Sequence, residues 1–146
     1  MAGLPDKPLQ EAVFAALKAS SAVSTLVGSK GVYDSVPKPK TGETEEAYQR
    51  RVPMPYITIG DDDIVDDSTG CFAAWDCEVT VHVWSRKVGK TEAKSVGGAV
   101  YDALNVELVI AGFVCTEFEF RDAIYFADPD GVTTHGVIKF RYLIDL

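Results

Sequence analysis

The sequence has 146 residues, a length typical of one globular domain, with 47% hydrophobic and 25% charged residues. Its net charge of −8 argues against tight binding to a nucleic-acid backbone, which requires clustered lysine and arginine side chains. No stretch approaches the roughly 20 apolar residues of a membrane span. The first residues, Met1–Asp6, lack the basic and apolar regions of a signal peptide. We therefore expect a protein that has no membrane contact and folds in a cytoplasm.

The cysteines and histidines indicate neither a disulfide framework nor a metal site. Cys71, Cys77 and Cys115 are odd in number and contain no C-x-x-C pair. His82 and His135, the two histidines, are far apart in sequence, and zinc prefers larger ligand sets. Cys77 and His82 lie an odd number apart on one predicted strand, so they point to opposite faces and form no nucleophile pair. We expect no metal, no cofactor and no catalytic residue.

The first third of the chain predicts a helix, a short strand and a long surface loop. Leu9, Val13 and Leu17 recur at helical spacing within 8–20, and a second short helical turn is expected at 21–27. A short strand follows at 32–36. Residues 38–54 then form a charged segment punctuated by proline, read as a surface loop with one helical turn near 45–50. A loop of this length is usually either functional or disordered. If it is functional, its charged residues are candidates for an assembly or lumen surface: Glu43, Glu45, Glu46, Arg50 and Arg51.

The middle of the chain predicts two strands separated by an acidic loop, followed by a helix. Residues 55–59 are a strand, and 60–70 are expected to form a turn-rich loop that contains Asp61, Asp62, Asp63, Asp66 and Asp67. These aspartates lack the spacing of a calcium loop and are interpreted as solvated, or else as a charged assembly or channel surface. Alternation within 72–85 predicts a strand with one buried and one wet face. The second long helix is expected at 89–105, and its Gly97-Gly98 pair indicates close packing on the sheet.

The last third predicts a long β-hairpin. Even-numbered apolar residues mark one face of both strands, from Val114 to Phe126 and from Thr134 to Ile144. If these residues share a face, the connecting loop must hold an odd number of residues. A three-residue loop, 129–131, would pair Asp128 with Val132, Phe120 with Phe140 and Glu119 with Arg141. The fold class is therefore α+β: a mainly antiparallel sheet with two α-helices on one face and a long C-terminal hairpin.

The order and spacing of these parts resemble the phage tail-completion family, which is related in fold to tail terminators of long-tailed phages and of phage-derived particles such as gene transfer agents. The fragments that carry the resemblance span about residues 8–146: the first helix, Val32-Tyr33-Asp34, 55–60, 79–85, Glu92-Ala93 and 128–142. The segment 38–54 is longer than the corresponding segment usual in this family. The resemblance implies one tail-completion domain over 1–146, with long surface loops at 38–54 and 60–70.

The resemblance also implies a non-enzymatic virion protein without catalytic residues. Such a protein forms a homo-oligomeric ring, commonly a hexamer, at the head-proximal end of the tail tube. It ends tube polymerisation, meets the tail tube protein and the head-side connector, and lets DNA cross its lumen as transient cargo. Two alternatives stay open. One is another connector or tube-like virion protein; the other is a small cytoplasmic binding domain or enzyme with a deep polar pocket.

Overall fold

The computed structural model describes residues 3–146. Met1 and Ala2, which belong to the stretch without signal-peptide features, lie outside the described residues. Within the described residues the chain forms four helices, α1 (Asp6–Ala19), α2 (Ser21–Val27), α3 (Glu45–Arg51) and α4 (Thr91–Leu104). Its five strands are β1 (Val32–Tyr33), β2 (Tyr56–Asp66), β3 (Ala74–Ser85), β4 (Val114–Ala127) and β5 (Thr134–Asp145). The α+β class is confirmed. Both expected long helices are present as α1 and α4, and the two short ones add to them.

The strands form one sheet in the order β1-β2-β3-β5-β4. Only the short β1–β2 pair is parallel; the other three pairs are antiparallel, as expected from the alternating patterns. The central strand β5 alternates strictly, with its even-numbered residues buried. Those residues face the helices, because Ile138 on this face lies beside Gly97 of α4. Helices α1, α2 and α4 contact one another above this side of the sheet.

The core lies between these helices and the buried face of the sheet. Leu9, Val13 and Leu17 of α1 are fully buried, as helical spacing predicted. Other large, fully buried side chains come from the strands and α4: Tyr142, Phe140, Ile57, Ile138, Ile144 and Leu104. The Tyr142 hydroxyl donates to the Leu104 carbonyl, which satisfies a polar group that burial would otherwise penalise. Burial also raises the pKa of this phenol, so it stays a neutral donor.

The acidic segment 60–70 is not a loop over most of its length, contrary to expectation. Strand β2 continues through Asp61, Asp62 and Asp63 to Asp66, and only the residues after it turn towards β3. A bulge opposite Thr80 displaces the register between Ile59 and Asp62. Aspartate has low β propensity, but pairing with the long strand β3 overrides it. The bulge accommodates the extra residue.

The hairpin turn also differs from expectation, although two predicted pairs are confirmed. Phe120 lies opposite Phe140 and Glu119 opposite Arg141. The strands are nevertheless joined by residues 128–133, with Asp128 donating its backbone N–H to Thr133, so the predicted Asp128–Val132 pair is wrong. An unforeseen bulge between Phe120 and Asp122 offsets the longer turn. The turn character itself is confirmed.

The bulge changes which face the end of β4 presents. Beyond Arg121 the odd-numbered residues pair with the buried residues of β5: Ala123 with Ile138, and Tyr125 with Gly136. Ile124 and Phe126 therefore point away from the helices, not towards them as the even-numbered pattern predicted. Tyr125 instead packs between the backbones of Gly97 and Gly136.

Candidate functional site

One face of the sheet carries no helix, and its residues are arranged in rows across four strands. Because β2, β3, β5 and β4 are in register, Tyr56, Trp84, His135 and Phe126 form one row, and Thr58, His82, Val137 and Ile124 form the next. We call these eight residues the aromatic band. It contains no formally charged group at neutral pH when both histidines are neutral. Exposed or half-buried aromatic and aliphatic side chains are typical of a surface that contacts another macromolecule.

The band is held by contacts between its own side chains. The rings of Trp84 and His135 stack with centroids 3.8 Å apart, and Phe126 lies 4.8 Å from His135. His82 Nδ1 lies 2.7 Å from His135 Nε2, a distance at which one nitrogen donates and the other accepts. The Trp84 indole N–H donates to Thr58 Oγ1 at 3.1 Å. Five of the eight side chains, those of Thr58, His82, Trp84, Phe126 and His135, are therefore connected to one another by stacking and hydrogen bonds.

Both histidines are held towards the neutral form. Burial against the sheet lowers the pKa of His82, and Asp61 opposes this shift. Burial and the adjacent His82 lower the pKa of His135, against the opposing effect of Asp128. Gly60 leaves room for the His82 ring, since a Cβ at that position would overlap it. Each imidazole uses a nitrogen to bind the other, and among residues 3–146 no three acidic, histidine or cysteine side chains form a metal-binding group.

The rest of the open face is charged and mainly acidic. Arg141 binds Asp76 through two hydrogen bonds of 2.8 and 2.7 Å and reaches Glu119 at 3.5 Å. Hydrogen bonds from Arg141 lower the pKa of Asp76, so this carboxylate stays ionised. Lys139 lies 3.9 Å from Glu78. Asp63 pairs with Glu78 across the strands, so carboxylates outnumber the cations here. We call this region the acidic half of the open face.

The structure separates the five aspartates that the sequence grouped. Asp63 belongs to the open face, whereas Asp62 and Asp66 pair with Val79 and Trp75, on the helix side. Asp62 lines a concavity of about 600 Å³ beside α1, with Asp6 and Asp34. Partial desolvation there raises the pKa of Asp62, and repulsion from Asp61, Asp6 and Asp34 raises it further. Asp67 lies in the β2–β3 turn, where its backbone N–H donates to Ala74.

The segment 38–54 is ordered by its own charged residues. Arg51 binds both carboxylate oxygens of Glu43, at 2.8 and 2.9 Å, and donates to the Lys38 carbonyl. This hydrogen bonding lowers the pKa of Glu43 to about 2. The helical turn expected near 45–50 is present as α3, capped by Thr44, and Glu45 lies 3.7 Å from Arg86. Glu43 and Arg51 thus stabilise the segment internally, while Glu46 and Arg50 are exposed.

The cysteines have the character expected of structural residues. Cys77 and Cys115 are buried and Cys71 is exposed, and none forms a disulfide. Burial raises the pKa of Cys77 to about 12, which suppresses the reactive thiolate. Cys77 faces the helices and His82 the open face, as strand parity predicted. No helix within 3–146 has the length and apolarity needed to cross a membrane.

Comparison with known proteins places this chain in the class of structural proteins of tailed virions. The chain belongs to the family described as "Tail completion protein gp17", whose model matches residues 11–145. The tail completion protein gp17 of Bacillus phage SPP1 is 32% identical over 94 residues, which cover 64% of this chain and 69% of the phage protein. This confirms the family that the sequence resembles, a family of structural proteins rather than enzymes.

Two solved structures are similar to this chain. A chain in the virion of a native gene transfer agent particle has a TM-score of 0.81 and 25% identity, covering 94% of this chain and 95% of its own length. The structure of the bacteriophage SPP1 gp17 protein has a TM-score of 0.53 and 26% identity, covering 93% and 88%. Both similarities extend over nearly the whole sheet and helix layer, so the architecture is that of a tail protein.

Proposed function

We propose that this protein forms a ring, a hexamer in the commonest form, at the head-proximal end of a tail tube. There it ends tube polymerisation and joins the tail to the head-side connector. The observation that carries the proposal is the sheet itself: helices cover one face, while the other is open and carries an acidic half beside the aromatic band. An antiparallel sheet with a solvated acidic face is suited to line a channel, with the helices on the outer wall. The virion origin of the gene transfer agent chain, at a TM-score of 0.81, supports a role in an assembled particle.

The charge of the open face supports its assignment to the channel. Duplex DNA carries a dense line of phosphates, and an acidic wall repels them, so DNA passes without being trapped. Arg141 and Lys139 do not offer free cations to DNA, because each lies next to carboxylates of β3 and β4. In this arrangement DNA is transient cargo. Of the predicted aspartates, Asp63 would face the channel, while Asp62 and Asp66 would face the outer helix layer.

The two edges of the sheet support a head-to-tail arrangement of subunits. The β4 edge exposes Glu117, Glu119 and Asp122 with one cation, Arg121, which gives a net charge of −2. The 38–54 segment at the opposite edge has four lysine and arginine residues and three glutamates, which gives a net charge of +1. Because the edges differ in charge, copy-to-copy contact favours one edge meeting the other. Such heterologous contacts produce a ring when the rotation between copies closes.

The two ends of the sheet are also unlike, which suits a ring with different partners above and below. One end carries Asp66, Asp67 and Asp145, and the other carries Arg86, Lys87 and Lys90 together with Asp128 and Asp130 of the hairpin turn. A subunit of this polarity would present an acidic surface to one neighbour in the stack and a surface of mixed charge to the other. We propose that these neighbours are the tail tube protein and the head-side connector.

The first test is the mass of the purified protein by light scattering over a concentration series, with negative-stain images of the same samples, alone and with added tail tubes. The expected result is closed rings in solution or on one end of each tube, together with an arrest of tube growth. Rings that stack along the tube without stopping its growth would instead indicate a tube-like or connector protein. Failure to assemble under both conditions would overturn the proposal.

The orientation of the open face has its own test. Glu78→Lys adds positive charge to the open face, whereas Glu46→Lys makes the same change on α3, at the sheet edge. If the open face lines the channel, rings of Glu78→Lys should retain linear duplex DNA at low salt, because the DNA threads past repeated cations. Glu46→Lys rings should release it. Equal retention by both variants would contradict the orientation without contradicting the ring.

A further inference from the structure

An apolar cleft lies at one end of the aromatic band, between α3 and the start of β2. It measures about 210 Å³ and opens beside Tyr56. Its lining is apolar at Tyr48, Val52, Pro53, Met54 and Tyr56, and it is completed by three polar residues, Glu45, Gln49 and Arg86. The Tyr48 hydroxyl donates to the Pro37 carbonyl at 2.7 Å, and the Glu43–Arg51 pair fixes the other side of the segment. The cleft is therefore a formed feature of the subunit.

Two exposed apolar side chains lie at the other end of the band. Ile124 is 54% exposed and Phe126 is 40% exposed. The bulge at Arg121 reverses the faces of the residues that follow it in β4, so both side chains point away from the helices. Charged residues at 117–122 protect the earlier part of this edge strand, as edge strands generally require. Within β4, the end beyond Asp122 contains no charged residue, which is typical of an edge that is covered in an assembly.

The cleft and the exposed pair cannot meet within one copy. Tyr56 and Phe126 end the same row, but β3 and β5 separate their strands, a distance of roughly 14 Å at the usual strand spacing of about 4.8 Å. They lie on opposite edges and at the same level of the sheet. A second copy placed beside the first would therefore bring the apolar pair of one subunit to the cleft of the next.

We propose that Phe126 and Ile124 of one copy dock into the α3 cleft of the neighbouring copy, so that the aromatic band runs from subunit to subunit. This proposal rests on the ring of the proposed function and names the contact that closes it. The flanking charges are opposite in net sign: the docking edge carries Glu117, Glu119 and Asp122 against Arg121, whereas the 38–54 segment has four lysine and arginine residues against three glutamates. Burial of two large apolar side chains in a central cleft is typical of the energetic centre of an interface, surrounded by a polar rim.

Cysteine cross-linking tests this contact directly. In a Cys71→Ser background, Gln49→Cys places a thiol on the rim of the cleft, and Ala127→Cys places one beside the intact Phe126. Mild oxidation of this double variant should give a ladder of covalent oligomers that extends beyond the dimer. The matched control combines Gln49→Cys with Val114→Cys, an exposed residue at the other end of β4, and should give no ladder.

The outcomes separate this inference from the proposed function. Rings that form but give no ladder specific to the Ala127→Cys pair would overturn the docking contact and leave the ring intact. A ladder that stops at the dimer would overturn the head-to-tail contact, because only a heterologous interface extends from copy to copy. Absence of both ladder and assembled rings, in solution and on tubes, would overturn the inference together with the proposed function.

A second measurement uses two phenylalanines of equal exposure. Phe118 is also 40% exposed on β4, but it pairs with Tyr142 on the helix side. Phe126→Asp should raise the protein concentration needed for assembly by about tenfold or more, as expected for loss of an interface anchor. Phe118→Asp should change it much less. Equal effects of the two substitutions, with far-UV circular dichroism unchanged, would count against docking through Phe126.

Discussion

The Tyr125 side chain of β4 lies directly over Gly97 of α4, so close that a methyl group on Gly97 would overlap the phenol hydroxyl. The other side of the ring rests on Gly136 of β5, where an added Cβ would approach within 2.9 Å. The two glycines thus form a slot that fixes the distance between α4 and the sheet. The adjacent Gly98 has open space around its Cα and is exposed.

This difference predicts opposite effects for two neighbouring substitutions. Gly97→Ala should lower the free energy of unfolding by about 1–3 kcal/mol, because the added methyl group overpacks the slot. Gly98→Ala should raise it by about 0.5–1 kcal/mol, since alanine favours the helix and meets no obstacle. Urea unfolding of both variants provides the measurement. Equal stabilisation by both would contradict the close packing of Tyr125.

The bulge at Arg121 predicts different effects for two single-residue deletions. Arg121 is the extra residue of β4, because Phe120 pairs with Phe140 and Asp122 pairs with the next residue of β5, Lys139. Its deletion removes the bulge while the residues on both sides keep their partners and faces, so it should change the free energy of unfolding by about 1 kcal/mol or less. Deletion of Ala123, in the regular ladder beyond the bulge, would instead bring Asp122 opposite Ile138 on the helix face, and burial of this carboxylate should cost about 3 kcal/mol or more. Urea unfolding of both variants provides the measurement, and equal losses would contradict the position of the bulge.

The same bulge shows where prediction from the sequence succeeds and where it stops. Alternation identifies the buried faces of β3 and β5, because those strands are regular. It fails at both ends of β4. A bulge before Glu117 places Val114 opposite Asp145 on the open face and buries Cys115, and the bulge at Arg121 reverses the faces of the residues that follow it. The pairs Phe120–Phe140 and Glu119–Arg141 are correct only because the bulge offsets an even-numbered turn. The continuation of β2 to Asp66 was missed because local propensity opposes it.

The sequence predicted only part of the candidate site. The charged residues of 38–54 and 61–67 stand out by composition, and their roles in assembly stay predictions. The aromatic band is invisible in composition, because its rows join β2, β3, β5 and β4, which are distant in sequence. His82 and His135 were correctly expected on wet strand faces. Only the β3–β5 register, which no local pattern specifies, brings them into contact.

The histidine pair predicts a loss of stability on mild acidification. The folded-state pKa values of His82 and His135 are lowered, so the unfolded chain binds more protons between those values and the ordinary value of 6.5. Stability therefore falls as the pH drops through about 6.5, and the loss is complete once the pH is below the folded-state values. Urea midpoints measured between about pH 8 and pH 5 should show this decline.

The matched variant for this prediction is His82→Gln, which removes one titrating group and its repulsion of His135. Its urea midpoint should depend less on pH over the same range than that of the parent protein. The fall in parent stability should also coincide with changes in Trp84 fluorescence, because Trp84 stacks on His135. An identical pH dependence in both proteins would contradict the histidine pair as the cause of the decline. Asp62 cannot produce such a decline, because a carboxyl group with a raised pKa stabilises the fold as the pH falls.

The Glu43–Arg51 pair makes the final prediction, on the acid resistance of the 38–54 segment. Its hydrogen bonds to Arg51, then to the Lys40 N–H, lower the pKa of Glu43 from 4.5 to about 2. A lowered carboxylate pKa stabilises the folded segment at every pH above the ordinary value, and the stabilisation is lost as the pH falls from there through about 2. Arg51→Gln should move the midpoint of the Glu43 titration back towards 4.5. The NMR resonance of the Glu43 carboxyl carbon reports this titration. Trypsin should then cleave the variant faster at Lys40 and Arg50 at neutral pH.

Asp130 serves as the internal control, since Thr133 and Val132 in the distant hairpin turn lower its pKa to about 2. If Asp130 shifts together with Glu43, the variant has loosened the whole fold; if neither shifts, Arg51 does not order this segment.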